Sequence, residues 1–235
     1  FLKLLGSAVR VRRLEHLVAA KLGFADCEPV TGQTYSRKVD AQIVAALAGI
    51  AASVHKLAND VRLLANLKEV EEPFGREQVG SSAMAYKRNP MLCERATGLA
   101  RLVISLAQSA FQNAAEQWLE RTLDDSSNKR LVIPESFLAT DGMLQIVVHV
   151  TRGLVVYPQV MRARLAAELP FMASEDILMA ATAMGRDRQA LHERIRVHSR
   201  AAADQVKLHG RPNDLLARLR ADPAFSQVKM DRLLR

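Results

Sequence analysis

Seven apolar residues, Ile43, Leu47, Ile50, Val54, Leu57, Val61 and Leu64, follow one another at spacings of 4, 3, 4, 3, 4 and 3. That is a heptad seam, and it calls for one long helix from about Ser36 to Leu67. Alanine occupies many of the positions between, which lets neighbouring helices come close. A second seam, Leu92, Ala96, Leu99, Val103, Leu106 and Ala110, predicts another long helix. A third helix, with Phe137, Leu144, Val148, Thr151 and Val155, is expected to begin near Pro134, a residue suited to a first turn. Leu14, Leu17, Val18 and Leu22 mark an earlier helix ending at Gly23. Long helices with such seams build an elongated bundle, often shared between subunits.

The pattern changes after Tyr157-Pro158. Apolar stretches become shorter, Ser174-Glu175-Asp176 reads as a capped helix start, and Gly185, Gly210-Arg211-Pro212-Asn213 and Pro223 punctuate the rest of the chain. The expected fold class is therefore all-α: an elongated long-helix bundle over residues 1–156, then a smaller helical domain over 157–235. Hydrophobic residues make up 49% of the chain but aromatics only 5%. Alanine and leucine, both strong helix formers, supply the difference. The chain opens on Phe1 inside an apolar pattern, which predicts that an amino-terminal portion precedes it.

Net charge is +8, which suits an anionic partner. No block of consecutive basic residues resembles a nucleic-acid tail, and the densest cluster, Arg10, Arg12 and Arg13, falls on a helical pattern. No apolar run is read as reaching the roughly 18 residues of a membrane span. Cys27 and Cys93 stand far apart, which favours a reducing, cytoplasmic setting. No histidine spacing suits a metal: His192 and His198 are six apart, a poor fit to one helical face, and His55 and His149 fall within long helices.

Two long polar connections, about 69–89 and 116–131, interrupt the helices, and loops of that length in a helical protein are often functional. The first contains Gly80-Ser81-Ser82-Ala83-Met84-Ala85-Tyr86-Lys87-Arg88-Asn89-Pro90. A hydroxyl and a lysine on such a loop suit proton abstraction beside a carboxylate, with the lysine holding the charge that develops. On composition alone it also reads as a plain polar turn.

This stretch closely resembles GSSxMPxKxNP, the signature of the fumarase/aspartase superfamily, with Ala85 where the motif has proline. Two further stretches, Thr31-Gly32-Gln33-Thr34-Tyr35-Ser36-Arg37-Lys38-Val39-Asp40 and Trp118 to Arg130, resemble the adenylosuccinate lyase family within it. The resemblance extends over nearly the whole chain. It implies that Ser81 removes a proton from the carbon next to a carboxylate, and that Lys87 helps to hold the resulting carbanion. Gln33 and Arg95 correspond to substrate-binding residues, and Arg121, Ser126 and Arg130 to residues that bind the nucleotide, the last two at its phosphate. Each has a plainer reading: Gln33 as a turn side chain, Arg95 as a surface charge, Arg121 and Arg130 as partners of Asp124 or Asp125.

The resemblance further implies a homotetramer with active sites composed from several subunits, a small nucleotide substrate and no cofactor. The general-acid histidine would come from an amino-terminal portion outside this chain. Neither nucleic acid nor a membrane is an expected partner. Two other readings stay open on the residues: a different fumarate-releasing lyase, such as argininosuccinate lyase, and a non-catalytic helical scaffold or RNA-binding bundle.

Overall fold

The computed structural model describes residues 1–75, 84, 86–119, 121 and 123–233. In chain order its elements are α1 (Leu2–Leu5), α2 (Ala8–Lys21), α3 (Lys38–Asn66), β1 (Val70–Glu71), α4 (Met91–Ala115), α5 (Asp125–Gly153), β2 (Val155–Val156), α6 (Pro158–Met172), α7 (Ser174–Ala183), α8 (Arg188–His209), α9 (Leu215–Ala221), a 3-10 turn (Pro223–Phe225) and α10 (Met230–Leu233). The two short strands pair with each other. The all-α expectation holds.

The chain divides into two compact units, residues 1–67 with 71–155, and residues 68–70 with 156–235. In the first, α3, α4 and α5 pack side by side. Contacts fix their directions. Arg62 on α3 reaches Thr97 on α4 (3.4 Å), while Arg37, just before α3, meets Gln117, just after α4 (2.8 Å). Helix α3 is therefore antiparallel to α4. Asn128 on α5 bonds Ser109 and Asn113 on α4, and Gly142 lies beside Leu99, so α4 and α5 are antiparallel too.

The inner face is built from small residues. Ala41, Val44, Ala51 and Ala58 of α3, with Ala96, Ala100, Val103, Ala107 and Ala110 of α4, are buried. The large residues of the predicted seam behave differently: Val54 and Val61 are buried, but Ile43, Ile50 and Leu57 remain 42%, 40% and 40% exposed. The stripe that announced the helix thus points partly away from this chain's own packing.

Three expectations need correction. Helix α5 begins at Asp125, not near Pro134, and carries Pro134 in its interior. Proline has no N–H, but one missing helical bond is tolerated in a helix 29 residues long and packed along its length. Ser174 does not cap a helix. Ala173 holds that position with helical backbone angles, α7 follows α6 almost without a break, and the Ser174 hydroxyl donates back to the Phe171 carbonyl (2.7 Å). Finally, α3 and α5 each contain an 18-residue stretch of mean hydropathy 1.4, apolar enough by length and composition to cross a membrane. The polar residues in them are few and scattered, which a search for an uninterrupted apolar run overlooks. Here the two helices belong to one bundle.

The second unit has its own core: Ile177, Leu178, Ala181, Leu191, Ile195, Leu215, Leu219, Phe225 and Met230 close on one another. Asp222 ties its ends together. This buried carboxylate accepts from Arg194 (2.9 and 3.1 Å) and from the Ala224 N–H (2.8 Å), and lies 2.9 Å from His198 Nε2. Burial works to raise its pKa, but the Ala224, His198 and Arg194 hydrogen bonds outweigh it and hold the carboxyl below the usual carboxylate range. Asp222→Asn is expected to lower the unfolding free energy of this unit by about 1–3 kcal/mol in urea titrations at neutral pH. The depressed pKa means that the contribution is present above about pH 4 and lost as pH falls through the folded value. The wild-type protein should therefore lose stability in acid more steeply than the asparagine variant.

Candidate active site

The signature loop leaves the bundle through Glu71-Glu72-Pro73 and returns through Arg88-Asn89-Pro90. Its stem is closed by charge. Glu72 is buried, and its two carboxylate oxygens accept the N–H groups of Leu92 (2.9 Å) and Cys93 (2.6 Å). These are among the unpaired donors that open every helix, so Glu72 caps α4 from twenty residues away. Arg88 bonds Glu71 (2.8 Å) and stacks over Phe74 (5.2 Å). Gly153, at the end of α5, lies against Pro73 so closely that a Cβ there would sit 2.6 Å from the proline Cβ. Burial, then the Glu72 carboxylate, pushes the Cys93 thiol up, so it is a poor nucleophile.

Ser81 and Ala85 lie outside the described residues. Lys87 is exposed; its N–H donates to the Met84 carbonyl (3.0 Å), and its ammonium makes no ion pair among the described residues. Lys87 precedes α4, and Arg95 sits on the second turn of that helix, exposed and likewise without an ion pair among the described residues.

The other residues singled out lie elsewhere. Gln33 is exposed on the segment before α3. Ser126 and Arg130 are on the first two turns of α5, half-buried and exposed respectively, and the half-buried Arg121 stands just before that helix. The Arg121 Nε is itself buried and has no partner among the described residues. Leu119, two residues earlier, takes a left-handed backbone conformation (φ 35°), which costs an L-residue about 1–2 kcal/mol. Arg121, Lys129 and Arg130 thus stand within a few residues of a helix N-terminus that also carries Asp124 and Asp125.

A buried polar cluster that spacing did not reveal holds this end together. Arg37 is 2% exposed and forms an ion pair with Asp125, the first residue of α5. A second carboxylate, Asp40, lies 3.8 Å from Arg37 and accepts from the Tyr35 hydroxyl (2.7 Å). The Arg37 N–H donates to Gln117 (2.8 Å), and the Gln117 amide donates to the Tyr35 carbonyl (3.3 Å). The Arg37 guanidinium stands 4.7 Å from the centre of the Tyr35 ring. Burial, then the hydrogen bond to Asp40, raises the Tyr35 pKa. No pairing of Arg121 or Arg130 with Asp124 or Asp125 is found among the described residues; the ion pair of Asp125 is with Arg37.

The two groups lie apart. Lys87 stands before α4, while Arg121 and Ser126 follow it and Gln33 lies alongside through Gln117. A helix of 25 residues spans about 37 Å, so within one chain these ends cannot meet one small substrate.

Residues 3–105 match the family described as Lyase, and residues 170–235 match Adenylosuccinate lyase C-terminus. Adenylosuccinate lyase of Schizosaccharomyces pombe is 51% identical over 97% of this chain, and that of Saccharomyces cerevisiae 52% over 97%. That of Schistosoma mansoni is 47% identical over 95%. The chain spans about half the length of these curated relatives: 48%, 48% and 47%. Among solved structures, 3-carboxy-cis,cis-muconate lactonizing enzyme from Pseudomonas putida superposes with a TM-score of 0.75 at 22% identity, over 97% of this chain and 49% of that one. At that identity the likeness shows the fold alone. A fumarate lyase from Mesorhizobium sp. BNC1 gives 0.68 at 25% identity, over 85% of this chain and 42% of that one. With relatives near half identity along almost its whole length, the chain belongs to the adenylosuccinate lyase family.

Proposed function

We propose that this chain is part of an enzyme that eliminates fumarate from adenylosuccinate, leaving AMP, and from the succinylated imidazole-carboxamide ribotide (SAICAR), leaving its amine (AICAR). The setting is cytoplasmic purine nucleotide synthesis. The observation that carries the reading is the start of α5, where Ser126 and Arg130 lie on the first two turns, Arg121 stands just before them and the buried Asp125 is paired with Arg37, a placement that suits a phosphate. Gln33, held nearby, would contact the same nucleotide.

At the other end, Ser81 would take the proton from the carbon beside the substrate carboxylate. A serine hydroxyl is a weak acid, so its surroundings must lower its pKa for this role. Lys87, with no ion pair among the described residues, would hold the negative charge that spreads onto the carboxylate, with Arg95 assisting in substrate binding. No cofactor is required, because the clamped carboxylate is itself the electron sink. The departing amine takes its proton from a histidine supplied by an amino-terminal domain. The two units would serve as the central domain (1–156) and the C-terminal domain (157–235).

Separation of the two groups by the length of α4 favours a homotetramer in which one subunit's serine loop meets another's nucleotide end. The exposed residues Ile43, Ile50 and Leu57 fit an interface between copies. The test is the ultraviolet absorbance of adenylosuccinate mixed with the full-length protein carrying this chain. Fumarate release is expected. Lys87→Ala and Arg121→Ala proteins, each inactive alone, should regain part of the activity when mixed and reassembled. A folded wild-type protein that leaves adenylosuccinate intact overturns the substrate assignment. Failure of the mixture to recover overturns the shared site.

A further inference from the structure

We infer that Arg37 is a positioning residue, and that its ion pair with Asp125 latches the segment carrying Gln33 to the helix start carrying Ser126 and Arg130. This rests on the proposed function, since it assigns those three side chains to one nucleotide. The reasoning begins with where Arg37 stands. It immediately precedes α3, where the helix dipole disfavours a cation, and it is 2% exposed, where a charge is costly. Neither helix formation nor burial of apolar surface accounts for an arginine there.

Geometry does. Residues 31–36 have no helix or strand of their own, and apart from Thr34 they are exposed. What fixes their end is Arg37: its side chain on Asp125, its N–H on Gln117, and its guanidinium against the ring of Tyr35. Gln33 is four residues before Arg37, and Ser126 is the residue after Asp125. A shift of the ion pair moves both. Arg37 also neutralises the buried carboxylate of Asp125 at the very helix start proposed to receive phosphate, leaving Asp124, the N-cap, as the remaining carboxylate beside Arg121, Lys129 and Arg130. Five buried side-chain atoms within residues 34–40 and 121–125, Thr34 Oγ1, Arg37 Nη1, Asp40 Oδ2, Arg121 Nε and Asp125 Oδ1, have no hydrogen-bond partner among the described residues, Arg37 Nη1 and Asp40 Oδ2 facing each other at 3.8 Å. An end with that many unmet groups is suited to closing around a polar ligand.

The experiment uses Arg37→Lys and Asp125→Asn in the full-length protein. Arg37→Lys keeps the buried charge but loses the planar fork, and Asp125→Asn keeps the shape, so each should fold. The expected result is a KM for adenylosuccinate raised roughly tenfold, the worth of one charge-assisted hydrogen bond, with kcat changed much less. Gln33→Ala should cost less in the Arg37→Lys background than in the wild type, because a residue already displaced has less to lose. Amide hydrogen exchange across residues 36–41 should quicken in both variants, while the core of α3 and α4 stays protected. Strictly additive costs, or unchanged exchange at 36–41, would overturn the latch. Wild-type protein inactive on adenylosuccinate would overturn the functional reading instead, and the exchange result would still judge the latch.

Discussion

Replacing Ser81 with alanine is expected to lower fumarate release by about 10²–10⁴-fold, the usual contribution of a positioned general base. KM should change little, because a hydroxyl that only moves a proton adds little to ground-state binding. Ser82→Ala, one residue along the same motif, is the control and should retain most of the activity. Lys87→Ala should also reduce kcat strongly, since its ammonium is exposed and makes no ion pair among the described residues. The Lys87 change should leave the melting temperature unshifted: its ammonium makes no ion pair among the described residues, and alanine keeps the N–H that donates to the Met84 carbonyl. Steady-state kinetics beside a thermal scan checks all three. A serine variant with wild-type kcat would remove Ser81 from the mechanism.

The second large effect is on stability. Arg37→Ala should destabilise the protein by about 3–5 kcal/mol, because Asp125 and Asp40 would stay buried without their cation. In a chain of this size that corresponds to a melting temperature lower by roughly 6 to 20 °C. Removing both charges at once is a different matter. Arg37→Met with Asp125→Leu replaces the pair by apolar groups of similar bulk, and such exchanges are often close to neutral. The double variant should melt above Arg37→Ala but below the wild type, because Asp40 still lacks its cation, and still bind substrate poorly. Calorimetry and KM on the same two proteins separate what the pair does for folding from what it does for the site. A single variant that melts like the wild type would mean that the buried carboxylates do not depend on Arg37.

These two cases mark what could be read from the sequence. Helices α3 and α4 were legible because a long helix packed along one side writes its own period into the chain. The start of α5 was not. Its first turns are polar because they face Arg37, Ser109 and Asn113 instead of an apolar core, so periodicity fades there. Pro134 then looked like a beginning when it is an interior residue. The motif residues were found by resemblance, not by spacing. Their partners were missed: Arg37 and Asp125 are 88 positions apart, and Glu72 caps a helix that begins nineteen residues later. An ion pair or cap closed over such a span leaves no local pattern, whereas a seam repeats its signal seven times. Asp222 was missed for the same reason, its arginine being 28 residues away.

The alanine face of the bundle has a consequence for how such a chain can vary. At Ala41, Ala51, Ala58, Ala96 and Ala100 the side chain is already the smallest that a stable helix prefers, and all are buried. Almost every replacement adds volume, and overfilling a packed interior costs about 1–3 kcal/mol each time. The outward stripe of Ile43, Ile50 and Leu57 is not bound by its own chain in this way, and can exchange one large apolar side chain for another. The two sides of α3 are thus subject to opposite rules: one is closed to anything larger, and the other is answerable only to whatever surface comes to lie against it.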